Sequence, residues 1–495
     1  MNSALLRPAL ILGAVGIFSK VIQVLAGLLL AYRFGANTGT DAYLLAKSAP
    51  IGLYLIVDSL VYNAFLPFYQ HERRARTNVL IVAGWMLLAG ALAGSALFAT
   101  APWIVALLGQ GASLESRAGA AELLRWMAIA VLFFFPASVL KAVNAAQQRY
   151  VLAALDGLVI GATLAAALLL AAQGTDYRPL AIALPVSGGL LLAVQAIFAR
   201  ADLRVWPGSL SIPGGRQLLG ASAPLLGVNS LQQFLALFMV AAAGYLGSGA
   251  LSCMNFSYSL IQIPVGVVDL ILMSAWFPLA AAMVHNGDRS RLLHSLERTA
   301  AILLRATVPL ALWLVLMRVE LIRAVLQYGA FDGVAAERTA HVIVGHALAL
   351  PGWLLEALAC RCLFAQQRHS AYLAVMVLRC ITLPLLCLLL IPGFDLLGIS
   401  LAFAASTTLG AAFAFWLIHG RAESRIALSR WLHASWRIAL PTLALACAHF
   451  LWRLGAPHAP ALPAAMLLPI HAFASLALLI LCYRLTERIA PGNRP

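Results

Sequence analysis

Runs of about twenty apolar residues, each long enough to cross a bilayer as a helix, recur from one end of this 495-residue chain to the other. A water-soluble fold is excluded, because 62% of the residues are hydrophobic and only 10% are charged. That leaves too little polar surface for a soluble globule of this size. Spans are expected near 8–33, 42–68, 78–108, 121–147, 151–173, 179–199, 217–246, 254–283, 299–317, 339–366, 371–392, 396–419, 435–452 and 463–483. The expected fold is therefore an all-α polytopic membrane protein with about 14 transmembrane helices.

The formal charge of +15 does not point to nucleic acid, since the arginines are scattered among short loops rather than gathered on one patch. With the N-terminus in the cytoplasm, inner loops receive Arg7; Arg73, Arg74 and Arg76; Arg149; Arg200, Arg204 and Arg216; Arg289, Arg291 and Arg298; Arg368; Arg421, Arg425 and Arg430; and Arg484, Arg488 and Arg494. Outer loops receive only Arg33, Arg117, Arg178, Arg318, Arg323, Arg338 and Arg453. By the positive-inside rule both termini are expected in the cytoplasm. No cleavable signal peptide is expected, because the first apolar run continues well past a signal core.

The chain also repeats itself. Pro136 to Ala142, followed by Ala146-Gln-Gln-Arg149, recurs as Pro351 to Ala357, followed by Ala365-Gln-Gln-Arg368. Phe65-Leu-Pro67 recurs as Trp276-Phe-Pro278, and Asp41-Ala42 as Gly249-Ala250. The shared offset of about 210 residues equals six spans, which keeps both copies in the same orientation. The expectation is two six-helix lobes, 1–214 and 215–425, in parallel pseudo-two-fold repeat, with two further helices and a tail in 426–495. On the Pro136/Pro351 alignment, Glu356 takes the position of Lys141, and the second copy carries about one extra turn before its Gln-Gln-Arg.

Three lysines, Lys20, Lys47 and Lys141, are the only ones present, and all three fall within expected spans. An ammonium at bilayer depth is costly unless paired or hydrated, so such residues are functional candidates. Lys20 lies about 12 residues into its span, or ~18 Å at 1.5 Å per residue, too deep to snorkel. Lys47 and Lys141 are nearer span ends, where snorkelling is a competing reading. Pointing inward, the three would form a cationic ladder suited to transient capture of a phosphate. Asp41, Asp58, Asp156 and Asp269, with Glu356, Arg361 and Arg379 of the second lobe, are candidates for charge pairing or coupling, some of them for carrying protons. Asp41 lies close enough to a span start to serve instead as a helix cap.

No Walker motif, nucleophile triad or paired catalytic carboxylate is found, so a transporter rather than an enzyme is expected, without cofactor or metal. Cys253, Cys360, Cys362, Cys380, Cys387, Cys447 and Cys482 lie almost entirely in apolar spans and read as free thiols.

Several elements resemble the MurJ/MviN lipid II flippase family of the multidrug/oligosaccharidyl-lipid/polysaccharide exporter superfamily. They are Phe34-Gly35, Thr40-Asp41-Ala42-Tyr43, Ala64-Phe65-Leu-Pro67, Asn144-Ala145, Pro264-Val-Gly266, Phe277-Pro278, and Leu321-Ile-Arg323 through Gly329-Ala-Phe331. The resemblance runs through spans one to twelve. It implies a bacterial inner-membrane flippase with fourteen helices and a central cationic cavity, working by alternating access. Its partners would be a polyprenyl-pyrophosphate-linked oligosaccharide, the phospholipid bilayer, and a glycan polymerase or synthesis complex. The family's arginine after serine in the first helix is Lys20 here, and further expected basic positions fall near Ala26 and Ser259. These departures admit an exopolysaccharide repeat unit as well as lipid II as cargo. Two other classes stand as alternatives: a cation-coupled multidrug exporter of the same superfamily, and a non-transporting scaffold of a polysaccharide-synthesis complex.

Overall fold

The computed structural model describes residues 3–71, 79–171, 176–203, 215–455, 474–475 and 477–478, and among these it is helical with no strand. The long helices are α1 (Ser3–Phe34), α2 (Thr38–His71), α3 (Val79–Leu108), α4 (Leu114–Ala146), α5 (Asp156–Leu170) and α6 (Arg178–Phe198). They continue as α7 (Gly215–Tyr245), α8 (Ala250–Ile271), α9 (Arg289–Leu316), α10 (Gly333–Ala365) and α11 (His369–Gly455). A π-helical turn, Leu272–Trp276, and a helix, Phe277–His285, prolong α8.

Ten helices among the described residues are long and apolar enough to cross a membrane, and α5 is a shorter apolar helix. The tenth of them, His369–Gly420, has 52 residues. At 1.5 Å per residue it would measure about 78 Å, more than twice the hydrocarbon thickness. Non-helical backbone at Asp395 (φ 51°, ψ −131°), three residues after Pro392, divides it into two stretches of crossing length, and Gly420 (φ 76°, ψ 177°) ends the second. The expected spans 371–392 and 396–419 fall on either side of Asp395. The expected thirteenth span, 435–452, falls within the last part of α11, whereas 463–483, with Cys482, lies almost wholly outside the described residues. None of the six described cysteines is joined in a disulfide to another described residue.

The chain forms two compact units, the first running to Leu270 with Gly329–Phe331 added, the second comprising Ile271–Tyr328 and the chain from Asp332. In the first, α2, α3 and α6 pack around α4. The most apolar stretch of α4 is 72% buried, far more than that of any other helix in this unit. Phe134, Leu124, Met127 and Val131 fill its core. In the second, α9 and α11 pack around α10.

The two central helices are built alike. Each has 33 residues and a side-chain N-cap: Ser113 accepts from the Ser116 amide, and Asp332 from the Ala335 amide. Each is followed by a glutamine in the left-handed region, Gln148 (φ 62°) and Gln367 (φ 58°). The next residue is an arginine that donates to a carbonyl 49 residues on, Arg149 to Phe198 O and Arg368 to Leu417 O. Equal lengths leave no extra turn in the second copy. Counted from the caps, Lys141 corresponds to Cys360 and Glu356 to Ala137. The two internal prolines differ by one turn within otherwise matched helices, so alignment on them misassigns the charged positions.

Candidate functional site

Lys20 is positioned by the close approach of α1 to α5. A Cβ on Gly161 would sit 3.0 Å from Ile22 Cγ2 and 3.2 Å from the Gln23 amide nitrogen, so glycine there lets the two backbones meet. On α8 the Lys20 stem lies against Gly266, 3.7–3.9 Å from where a Cβ would be. Lys20 is exposed, with no hydrogen bond or ion pair among the described residues. Asp269 stands three residues beyond Gly266 on α8, on the same helix face.

Lys141 has a different setting. Its Nζ is 2.9 Å from Asp58 Oδ2 on α2 and 2.5 Å from Asp156 Oδ2 at the start of α5. The Tyr54 hydroxyl donates to the same Asp156 oxygen at 2.6 Å. One ammonium is thus held by two carboxylates, and Asp58 Oδ1 is buried without a hydrogen-bond partner. Lys47 joins neither group. It lines a narrow, largely apolar crevice with Tyr43 of α2, Ile160 and Leu164 of α5, and Leu180, Leu184 and Ser187 of α6. The three lysines therefore occupy three separate environments of the first unit.

Asp41 does not cap its own helix. Asn37 does that, its Oδ1 accepting from the amides of Gly39 (2.9 Å) and Thr40 (3.0 Å). Asp41 caps α8 instead: Oδ2 accepts from the Gly249 amide at 2.6 Å, and Oδ1 from the Ser252 amide at 2.7 Å and the Ser252 hydroxyl. A carboxylate at a helix N-terminus satisfies orphan amides and complements the helix dipole. Thr38 Oγ1 and Ser248 Oγ, 3.3 Å apart, extend the tie between the starts of α2 and α8. The Phe34-Gly35 and Gly329-Ala-Phe331 elements meet each other nearby. The Ala330 amide donates to Tyr32 O at 2.7 Å, and Phe331 packs edge-on against Phe256.

In the second unit Glu356 pairs with Arg379 of α11, Oε2 lying 3.2 Å from Nη1, and both residues are buried. The Arg379 guanidinium also stands 5.4 Å over the Phe403 ring. Arg361 Nη1 donates to Ala357 O on its own helix. A pair absent from the sequence expectations joins His419 to Glu297, 3.3 Å apart. Also unforeseen is a polar network at the end of α2 and α4: Tyr69 donates to Asp202 at 2.6 Å, and Gln147 to the other Asp202 oxygen at 2.6 Å. Its signal in the sequence is the Gln-Gln-Arg motif that also marks the repeat.

Comparison with known proteins gives consistent results. The family described as "Lipid II flippase MurJ" matches residues 30–467. A probable lipid II flippase MurJ of Thermotoga maritima is 23% identical over 409 residues, covering 80% of this chain and 82% of that protein. The lipid II flippase MurJ of Burkholderia cenocepacia is 24% identical over 380 residues, covering 73% and 74%. Among solved structures, lipid II flippase MurJ in an inward closed conformation superposes with a TM-score of 0.80 at 15% identity, covering 97% of this chain and 99% of that one. An inward-facing multidrug-resistance MATE-family transporter superposes with a TM-score of 0.63 at 12% identity, covering 83% and 97%.

Proposed function

This chain belongs to the lipid II flippase MurJ family, and we propose that it moves a polyprenyl-pyrophosphate-linked glycan across the bacterial inner membrane by alternating access. The cargo is lipid II or an exopolysaccharide repeat unit of the same lipid-carrier chemistry. The observation that carries this reading is Lys20, a cation deep in a span, exposed and without a partner among the described residues. A lysine in that position is stable only where water or an anion meets it. A pyrophosphate supplies the anion, while the polyprenyl tail stays in hydrocarbon.

Lys141 is neutralised by Asp58 and Asp156, so the pyrophosphate falls to Lys20, with Lys47 and Lys141 outside the direct contact. With both termini cytoplasmic, α2 and α8 start at the outer face. The Asp41 cap and the Thr38–Ser248 contact then hold the outer end together, and cargo enters from the cytoplasmic leaflet. The internal repeat, centred on α4 and α10, supplies the two lobes that rock. A multidrug exporter for cationic drugs is disfavoured, because the carboxylates Asp41, Asp58 and Glu356 are already engaged by protein donors.

The test is replacement of the chromosomal flippase by this chain in a depleted strain, with and without Lys20→Gln. The unaltered chain should sustain growth or glycan export. The variant should not, at equal membrane abundance.

A further inference from the structure

We propose that Asp58, Lys141 and Asp156 form a proton-binding site, with Asp58 Oδ1 the atom that takes the proton. The inference rests on the transport reading above for its use, but the site itself is argued from geometry. Two carboxylates share one ammonium, each through its Oδ2. Tyr54 donates to Asp156 and not to Asp58, so Asp156 has two donors on one oxygen. Asp58 Oδ1, buried, has none. A buried carboxylate oxygen without a donor forfeits the solvation it had in water. With both carboxylates ionised the cluster carries a surplus negative charge within a membrane span, where uncompensated charge is costly. A proton on Asp58 Oδ1 removes that surplus and converts the orphan acceptor into a hydroxyl, while Oδ2 keeps its bond to Lys141. Two carboxylates competing for one site are the arrangement in which a single proton is shared between them.

On α2 the neighbours are Tyr54 and Tyr62, on α4 Lys141 and Ser138, and at the start of α5 Asp156, with Tyr150 close to Tyr62. Lys141 is the sole cation acting on Asp58 in that set. Lys141 comes from the central helix α4, and the two carboxylates come from the helices on either side of it. A shift of α2 or α5 against α4 therefore changes how the ammonium is shared. Moving Lys141 wholly to Asp156 strengthens the hold of Asp58 on its proton, and moving it wholly to Asp58 favours release of that proton. The cluster can thus tie proton uptake to helix movement without touching the cargo.

The test is infrared difference spectroscopy of the full chain in lipid nanodiscs, following the protonated-carboxyl band through a pH titration. A second measurement records flipping of a fluorescent polyprenyl-pyrophosphate glycan in proteoliposomes under an imposed pH gradient. The unaltered chain should show one titrating carboxyl that belongs to this cluster. Asp58→Asn and Asp156→Asn should each abolish it, because either change leaves one ammonium for one carboxylate. Asp269→Asn should retain it. Flipping by the unaltered chain should respond to the gradient at least about tenfold more than flipping by Asp58→Asn. No titrating band in the unaltered chain, or a band that survives in both asparagine variants, overturns the proton site. If Asp58→Asn does not fold, Asp156→Asn alone decides. A band that behaves as expected in a chain that moves no lipid keeps the proton site and rejects the flippase reading.

Discussion

Lys20 and Lys141 are both lysines within spans of the first unit, yet their chemistry differs because of what faces each ammonium. Lys20 is exposed with its stem against Gly266, whereas Lys141 meets two carboxylates. The same contrast separates free from committed charge in the second unit, where Glu356 and Arg379 neutralise each other in a buried pair. Removing one member of such a pair strands the other, at a cost of about 3–5 kcal/mol. Arg379→Gln should therefore lower the thermal unfolding midpoint of the purified chain markedly, and the double variant Glu356→Gln with Arg379→Gln should recover most of the loss. An unchanged midpoint in the single variant would mean that the pair does not hold α10 to α11. Depth along a span was legible in the sequence for each of these charges, since counting residues from a span end gives it directly. The direction each side chain takes around its helix was not. It depends on which neighbours approach, and the Lys20 stem lies against Gly266, a residue without charge or polarity of its own.

At the scale of elements, caps decide more than hydropathy reveals. The apolar runs locate thirteen of the expected spans on described helices, the last three of them along His369–Gly455, because burial in lipid demands the same length wherever a helix crosses. The spacing of Pro136 and Pro351 misled the register of α4 against α10. Proline is tolerated inside membrane helices, so its position drifts while the capped ends, Ser113 and Asp332, stay matched. Replacing Ser113 by alanine should cost about 1 kcal/mol, and Asp332→Ala about the same, measurable as a fall in unfolding midpoint. The cap on α8 offers a sharper test because it comes from another helix. Thr38 and Ser248 touch through their hydroxyls. Cysteines at both positions should cross-link under mild oxidant, arresting lipid flipping until reductant is added. Full flipping by the cross-linked chain would contradict the assignment of this contact to a gate that must open. That Asp41 would be the cap's acceptor could not be read from spacing, because Asn37 occupies the local capping position and frees Asp41 for its neighbour.

For the whole molecule, the family match over residues 30–467 and the superposition at a TM-score of 0.80 agree with the expectation drawn from apolar runs, a parallel repeat and a few short motifs. The motifs were informative because they mark backbone constraints. Gly35 (φ 71°) and Gly329 (φ 63°) meet where α1 ends, each so close to the other's strand of backbone that a side chain has no room. The repeat was legible because the Gln-Gln-Arg turn performs the same carbonyl-binding task in both copies. Lys20, exposed and without a partner among the described residues, is the cation on which the proposed transport turns. The most direct measurement is flipping of a fluorescent polyprenyl-pyrophosphate glycan by the purified chain in proteoliposomes, comparing the unaltered sequence with Lys20→Gln and Lys20→Arg. Loss of flipping by at least about tenfold in the glutamine variant, with substantial recovery by arginine, is the outcome expected when an anion must be captured there. Normal flipping by a folded Lys20→Gln chain would contradict it.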